Sequence, residues 1–292
     1  MQKFLLKTFI YFITAILSIQ IICYIYIKTN FLYGVFNYPG IEIYSAIRKS
    51  KLKSVKETLL LGDSVGKQLF SKDNENYNSL TTNQAISIAG NYFLLKNYLN
   101  AGNTIESLVI IYHPQSFLNN LDQKFTYHYF LKPFFNNDYN KYFSNNLFTQ
   151  IKKIPNKNYL SIPSIKATNW SPSFPLFKKS ITTETDDVDN YVKNKLYYLS
   201  PISIEYLNMI KSLSIKHRFS IKLLPPPIST NKKINLISFQ KETEKTDLIE
   251  EFKFYLNNLY YIDDNYFADG IHLKNKEIIN NNRSKIIKLI LD

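Results

Sequence analysis

The chain has 292 residues, 45% of them apolar, with one Cys, four His and only seven Gly. That length and apolar content support a buried core and exclude a disordered or collagen-like protein, while a single Cys excludes a disulfide framework and a Cys-rich zinc site. The formal charge of +13 is uneven: residues 1–56 hold eight basic side chains against Glu42, a net +7, leaving +6 for the other 236. With no helix-turn-helix, zinc-finger or aromatic RNA-binding signature beside it, this charge reads as a solvated basic surface, and no nucleic-acid partner is expected.

Thr8 to Ile27 is twenty residues without a charge, enough for roughly 30 Å of helix, the thickness of a bilayer's hydrocarbon core. One transmembrane helix within residues 1–30 is therefore expected. Lys3 and Lys7 precede it and only Lys28 follows closely, which favours a cytoplasmic N-terminus and an extracytoplasmic domain. A cleaved signal peptide fits less well, since the stretch is long and no small-x-small site closes it. Residues 31–56, with Gly34, Pro39 and Gly40, read as a stalk.

From Thr58 onward short apolar runs alternate with helical patterns, the signature of a parallel sheet covered on both faces. Strands are expected at Thr58–Leu61, Ala85–Ala89, Leu108–Ile111, Phe219–Leu224 and Tyr260–Ile262. Helices follow Ser64 and Asn91 and cover the stretches marked by Ile204, Leu207, Ile210 and Leu213, by Phe252, Tyr255, Leu256 and Leu259, and by Ile279, Ile286, Ile287 and Ile290. Residues 57–292 thus read as a flavodoxin-like, three-layer, doubly wound α/β domain of about five parallel strands, whose carboxyl edge is where such sheets bind ligands. Residues 115–200 interrupt it and read as an inserted cap. Its Phe117, Phe125, Tyr127, Tyr129, Phe130, Phe134, Phe135, Tyr139 and Trp170 either form the cap's own core or stack on sugar rings.

Ser64 follows the first strand in Gly62-Asp63-Ser64-Val65-Gly66 and opens a helix, a position that serves a nucleophile beside backbone N–H donors or, equally, an ordinary helix cap. Near the other end of the chain, Asp269-Gly270-Ile271-His272 sets a carboxylate three residues before an imidazole. In so short a loop Asp269 can hold Nδ1 of His272 and leave Nε2 facing Ser64, with Gly270 permitting the turn. The first five residues also satisfy G-x-S-x-G, the elbow of α/β-hydrolases, but that fold places several strands before the elbow and its acid well before the His.

The pattern instead resembles the SGNH, or GDSL, hydrolase superfamily: Gly62-Asp63-Ser64 is similar to its first block, Gly90 to its second, and Asp269 with His272 to its fifth, over residues 57–114 and 202–292. The resemblance implies Ser64 as nucleophile, His272 as general base and Asp269 as its acid, with the Ser64 and Gly90 amides in the oxyanion hole. The family's third-block Gly-x-Asn is missing after the third strand, which runs on as Tyr112-His113-Pro114-Gln115-Ser116. Asn91, Gln115 and Asn119 are candidate substitutes, and His113 reads as a structural strand-end histidine. With its anchor and cap the chain looks most like the membrane-associated acyl-transfer branch that includes alginate O-acetyltransferases and teichoic acid D-alanyl transfer proteins. That branch implies an esterase or O-acyltransferase, with a cell-envelope glycan or small acylated substrate and a membrane-bound acyl donor protein as partners. The alternative is an inactive SGNH-like protein that binds envelope polymer or assists an assembly complex. No cofactor is implied, and no metal, since the four His lack ligand spacing with an acidic cluster.

Overall fold

A computed structural model describes residues 1–28, 41–123, 126–153 and 197–291. Four parallel strands, β1 (Thr58–Gly62), β2 (Tyr77–Ser79), β3 (Ser107–Ile111) and β4 (Ser220–Leu224), lie in the order β2-β1-β3-β4. Gly62 of β1 stands in register with Ile111 of β3, and Ile111 with Leu224 of β4. The period-2 pleat sorts these apolar strands into two cores. Leu59, Leu61, Leu108, Ile110, Ile221 and Leu223 face one side, and Leu60, Val109, Ile111 and Leu224 the other.

The chain reaches β1 through α1 (Gln2–Lys28) and α2 (Ile41–Ser50). Helix α2 begins directly after Gly40 and buries Ile43 and Ala46 in the first core. A short helix, α3 (Ser64–Leu69), links β1 to β2, and α4 (Ser87–Asn100) links β2 to β3. An amphipathic helix, α5 (Asn145–Lys153), precedes α6 (Pro201–His217), which leads into β4 and packs against α4 on the first face. Beyond β4 come α7 (Leu236–Thr243) and α8 (Ile249–Asn257), which supply Phe239, Phe252 and Tyr255 to the same core. The last helix, α9 (Lys276–Leu291), covers the second face with α3. Lys222 of β4 donates to the carbonyls of Leu289 and Ile290, at 3.3 and 3.2 Å, near the end of α9. A cation placed there satisfies orphan carbonyls and the helix dipole together.

Two expectations are corrected. Residues 85–89 are not a strand: Gln84–Ile86 form a 3-10 turn, and α4 starts at Ser87. Side chains direct this switch, Asn83 accepting from Ala85 N–H at 2.9 Å and Ser87 Oγ from Ala89 N–H at 3.2 Å. Such local bonds divert a short apolar run from a ladder. The strand beside β1 is instead Tyr77–Ser79, and bonds from Leu80 N–H to the Leu60 carbonyl and from Thr82 N–H to the Gly62 carbonyl extend that edge. The expected fifth strand also leaves the main sheet. Three prolines after β4 lack N–H donors, and pairing resumes only at β5 (Ile228–Ser229), which joins β6 (Tyr261–Ile262) in a separate parallel pair.

Helix α1 occupies the apolar N-terminal stretch, and Phe9, Phe12, Leu17 and Ile22 are exposed along it. Counted over the described residues, no helix is long and apolar enough to cross a membrane. In the interrupted region Phe117, Phe130, Phe134 and Tyr139 are buried, and the last three ring Phe93 of α4 at centroid distances of 5.8, 5.4 and 5.5 Å. These four are core and not a sugar platform. Phe135 is exposed, and Tyr129 is partly buried against the same core. Phe125 and Trp170 lie outside the described residues, as does the side chain of Tyr127.

Candidate active site

The carboxyl ends of β1 and β3 meet where the order of the sheet reverses, the crevice in which doubly wound sheets hold ligands. The turn out of β1 is set by Asp63, which is completely buried. Its Oδ1 accepts from Val65 and Gly66 N–H, both at 3.0 Å, and so caps α3. Its Oδ2 accepts from His113 N–H at 2.7 Å and from Ser116 Oγ at 2.6 Å, which ties the turn to the segment after β3. Burial pushes the Asp63 carboxyl up, against the hydrogen bonds from Ser116, Gly66, His113 and Val65. The crossing is so close that a Cβ on Gly62 or on Gly66 would stand 2.7 or 2.8 Å from the Ile111 carbonyl oxygen. Only glycine fits at both positions.

Ser64, the first residue of α3, therefore stands at the mouth of the crevice. His272 Nε2 lies 2.9 Å from Ser64 Oγ, and His272 Nδ1 lies 2.7 Å from Asp269 Oδ2. Asp269 Oδ1 accepts from His272 N–H at 2.7 Å and Ile271 N–H at 3.0 Å, an Asx-type turn that carries Gly270 at φ +77°. Burial raises the Asp269 carboxyl, but bonds from the His272 backbone, the His272 ring and Ile271 N–H outweigh it and leave the pKa below its usual value. Asp269 is thus an anion well below neutral pH, suited to steady the Nδ1–H side of an imidazole that gains a proton.

Gln68 was not apparent from the sequence. It lies one turn after Ser64 on α3, and its side-chain amide donates to the Leu273 carbonyl at 2.8 Å while its carbonyl accepts from Leu273 N–H at 2.9 Å. This two-point clamp fixes the backbone immediately after His272. The only sequence sign of it is the i, i+4 spacing from Ser64, which puts both on one helix face. Ala268 N–H closes the base of the loop on the His272 carbonyl at 2.7 Å, and Phe267, Ile271 and Leu273 pack with Val65 and Leu69.

Ser64, His272 and Asp269 are brought together, whereas Gly90 and Asn91 make no described hydrogen bond to any of them. The strand-end setting expected for Gly90 is a helical one, the fourth residue of α4, where a Cβ would stand 2.6 Å from that of Ile86. Asn91 Nδ2 donates to the Ser87 carbonyl at 3.2 Å. Asn119 Nδ2 donates to the Gln84 carbonyl at 2.8 Å and its Oδ1 accepts from Leu121 N–H at 2.9 Å. Gln115 offers its backbone N–H to His113 Nδ1 at 3.2 Å. Among the described residues no group of His, Cys, Asp and Glu is gathered that could hold a metal ion.

No protein-family model matches the chain, and no curated protein does. Among solved structures it is similar to a Streptococcus pneumonia chain described as a "putative platelet activating factor", with 13% identity over 90% of this chain and 97% of that one and a TM-score of 0.36. A likeness that loose carries no inference about chemistry.

Proposed function

We propose that this chain is a serine esterase or O-acyltransferase of SGNH type, working through Ser64, His272 and Asp269. The observation that supports it most is the unbroken relay from Ser64 Oγ through the His272 ring to Asp269, at 2.9 and 2.7 Å, within the reach that proton transfer needs. Ser64 Oγ attacks an ester carbonyl carbon and its proton passes to His272 Nε2, while the carbonyl π pair moves onto oxygen. The tetrahedral adduct then expels the alcohol, which takes the proton from His272, and an acyl-Ser64 remains. Water or a sugar hydroxyl next attacks this ester and gives its proton to His272; the second adduct then expels Ser64 Oγ, which takes that proton back from His272. In α3 the Val65, Gly66 and Lys67 N–H groups are held by Asp63, and Ser64 N–H is one donor to the oxyanion in this scheme.

We place the domain outside the cytoplasm on an N-terminal membrane anchor, with an envelope glycan or small ester as substrate and a membrane-bound acyl donor protein as partner in the transfer case. The uncharged stretch from Thr8 to Ile27 and the exposed apolar side chains of α1 support the anchor. Turnover of p-nitrophenyl acetate by the full-length chain tests the chemistry: Ser64→Ala and His272→Ala are each expected to lose at least ~10³-fold in kcat. Equal turnover by wild type and Ser64→Ala would end the proposal. Protease accessibility in intact cells tests the placement, and a protected domain would reverse it.

A further inference from the structure

His113 is almost completely buried, at the end of the strand next to β1. Gly62 and Ile111 are register partners, so Ser64 and His113 are each the second residue past the ends of adjacent strands. The backbone of His113 is held by Asp63, the same carboxylate that caps α3 behind Ser64. Its ring nitrogens are unequal. Nδ1 accepts the Gln115 N–H at 3.2 Å and so carries no proton, which puts the proton of the neutral ring on Nε2. Nε2 is buried and has no hydrogen-bond partner among the described residues.

A buried N–H without an acceptor costs on the order of 1–3 kcal/mol, and such a group, close enough to feel the charges of His272 and Asp269, calls for an acceptor that arrives later. We propose that this acceptor is the oxyanion formed on Ser64, and that His113 Nε2–H is a catalytic donor to it beside the Ser64 amide. The assignment rests on Ser64 being the nucleophile. It also supplies what Tyr112-His113-Pro114 otherwise leaves missing, a side-chain donor after β3. Burial, together with the nearby charges of Lys232 and His272, lowers the His113 pKa to about 3, so the ring is neutral at neutral pH. A neutral imidazole N–H is an effective electrophile toward a developing oxyanion.

The test uses the full-length chain with His113→Leu, which removes the donor, and His113→Gln, whose longer amide returns an N–H near the position of Nε2. With p-nitrophenyl acetate, His113→Leu is expected to lose about 100-fold in kcat with KM within about twofold, and His113→Gln to regain at least tenfold of that loss. A folded His113→Leu with kcat near wild type, or equal losses in both variants, would overturn the assignment. Should His113→Leu not fold, the imidazole N–H proton resonance decides. It is expected to move downfield when wild type forms a fluorophosphonate adduct on Ser64 and to be missing from the His113→Gln adduct. An unmoved resonance in a labelled wild type overturns the His113 role alone, whereas a wild type that takes no label overturns the Ser64 reading and this role with it.

Discussion

The two halves of the candidate site are built in opposite ways. The turn carrying Ser64 grows out of the core: Asp63 is fully buried with four hydrogen bonds, and glycines at 62 and 66 let it press against the end of β3. The loop carrying His272 lies at the surface, with the side chains of Asp269 and His272 56% and 37% exposed. It is held by its own Asx-type turn, the bond from Ala268 to His272 and the Gln68 clamp. The comparison teaches that the proposed nucleophile is fixed by the fold itself, while its proposed base is held by local turns and latched on by the Gln68–Leu273 pair, which spans 205 residues of sequence. Damage to the first half should therefore appear as lost stability, and damage to the second as lost rate.

The sharpest attempt to break this division is Asp63→Ala, which leaves the N–H groups of Val65, Gly66 and His113 without their acceptor, while Ser116 Oγ keeps Gln84 Oε1 at 3.1 Å. It is expected to cost about 3 kcal/mol or more of stability, read as a lower urea midpoint, with activity lost alongside. A variant of unchanged midpoint would show that the turn is not fixed by Asp63. Asp269→Asn works on the other half: kcat is expected to fall by about 10²–10⁴-fold with melting nearly unchanged, which steady-state kinetics and a thermal scan resolve together. Gln68→Ala should loosen the latch and reduce kcat by about tenfold, with the urea midpoint almost constant. A rise in KM alone would show instead that Gln68 touches substrate.

A further test lies in pH dependence, and its sign follows from His113. The native ring takes a proton only near pH 3, whereas the unfolded chain takes it near the usual 6.5. Between those values the unfolded state binds more protons, so stability falls as pH drops from about 6.5 toward 3. Urea titrations at pH 7 and pH 4.5 should show a larger acid-side loss for wild type than for His113→Gln. Asp269, with its pKa lowered, holds its own contribution at both of those pH values and loses it only on further acidification.

Much of this was legible in the chain because its signals are local. Strands β1, β3 and β4 are apolar runs bounded by Gly62, Pro114 and the three prolines, and Asp269 to His272 form one short loop whose geometry follows from its spacing. Strand β2 was hidden because an edge strand of three residues with the sequence Tyr-Asn-Ser carries no hydrophobic period. Residues 85–89 misled because five apolar or small residues suit a strand or a helix start equally until the bonds of Asn83 and Ser87 are known. The long-range partners, Asp63 with Ser116 and Gln68 with Leu273, have no sequence signature, since they depend on which strand ends the topology brings together.

The most direct test of Ser64 as the nucleophile is to treat the folded full-length chain with a fluorophosphonate and locate the adduct by peptide mass spectrometry. One phosphonyl group on Ser64, formed at least ~10²-fold more slowly in His272→Ala, is the expected result. A wild type that takes no label, or takes it on another serine with Ser64 free, would contradict the site described here.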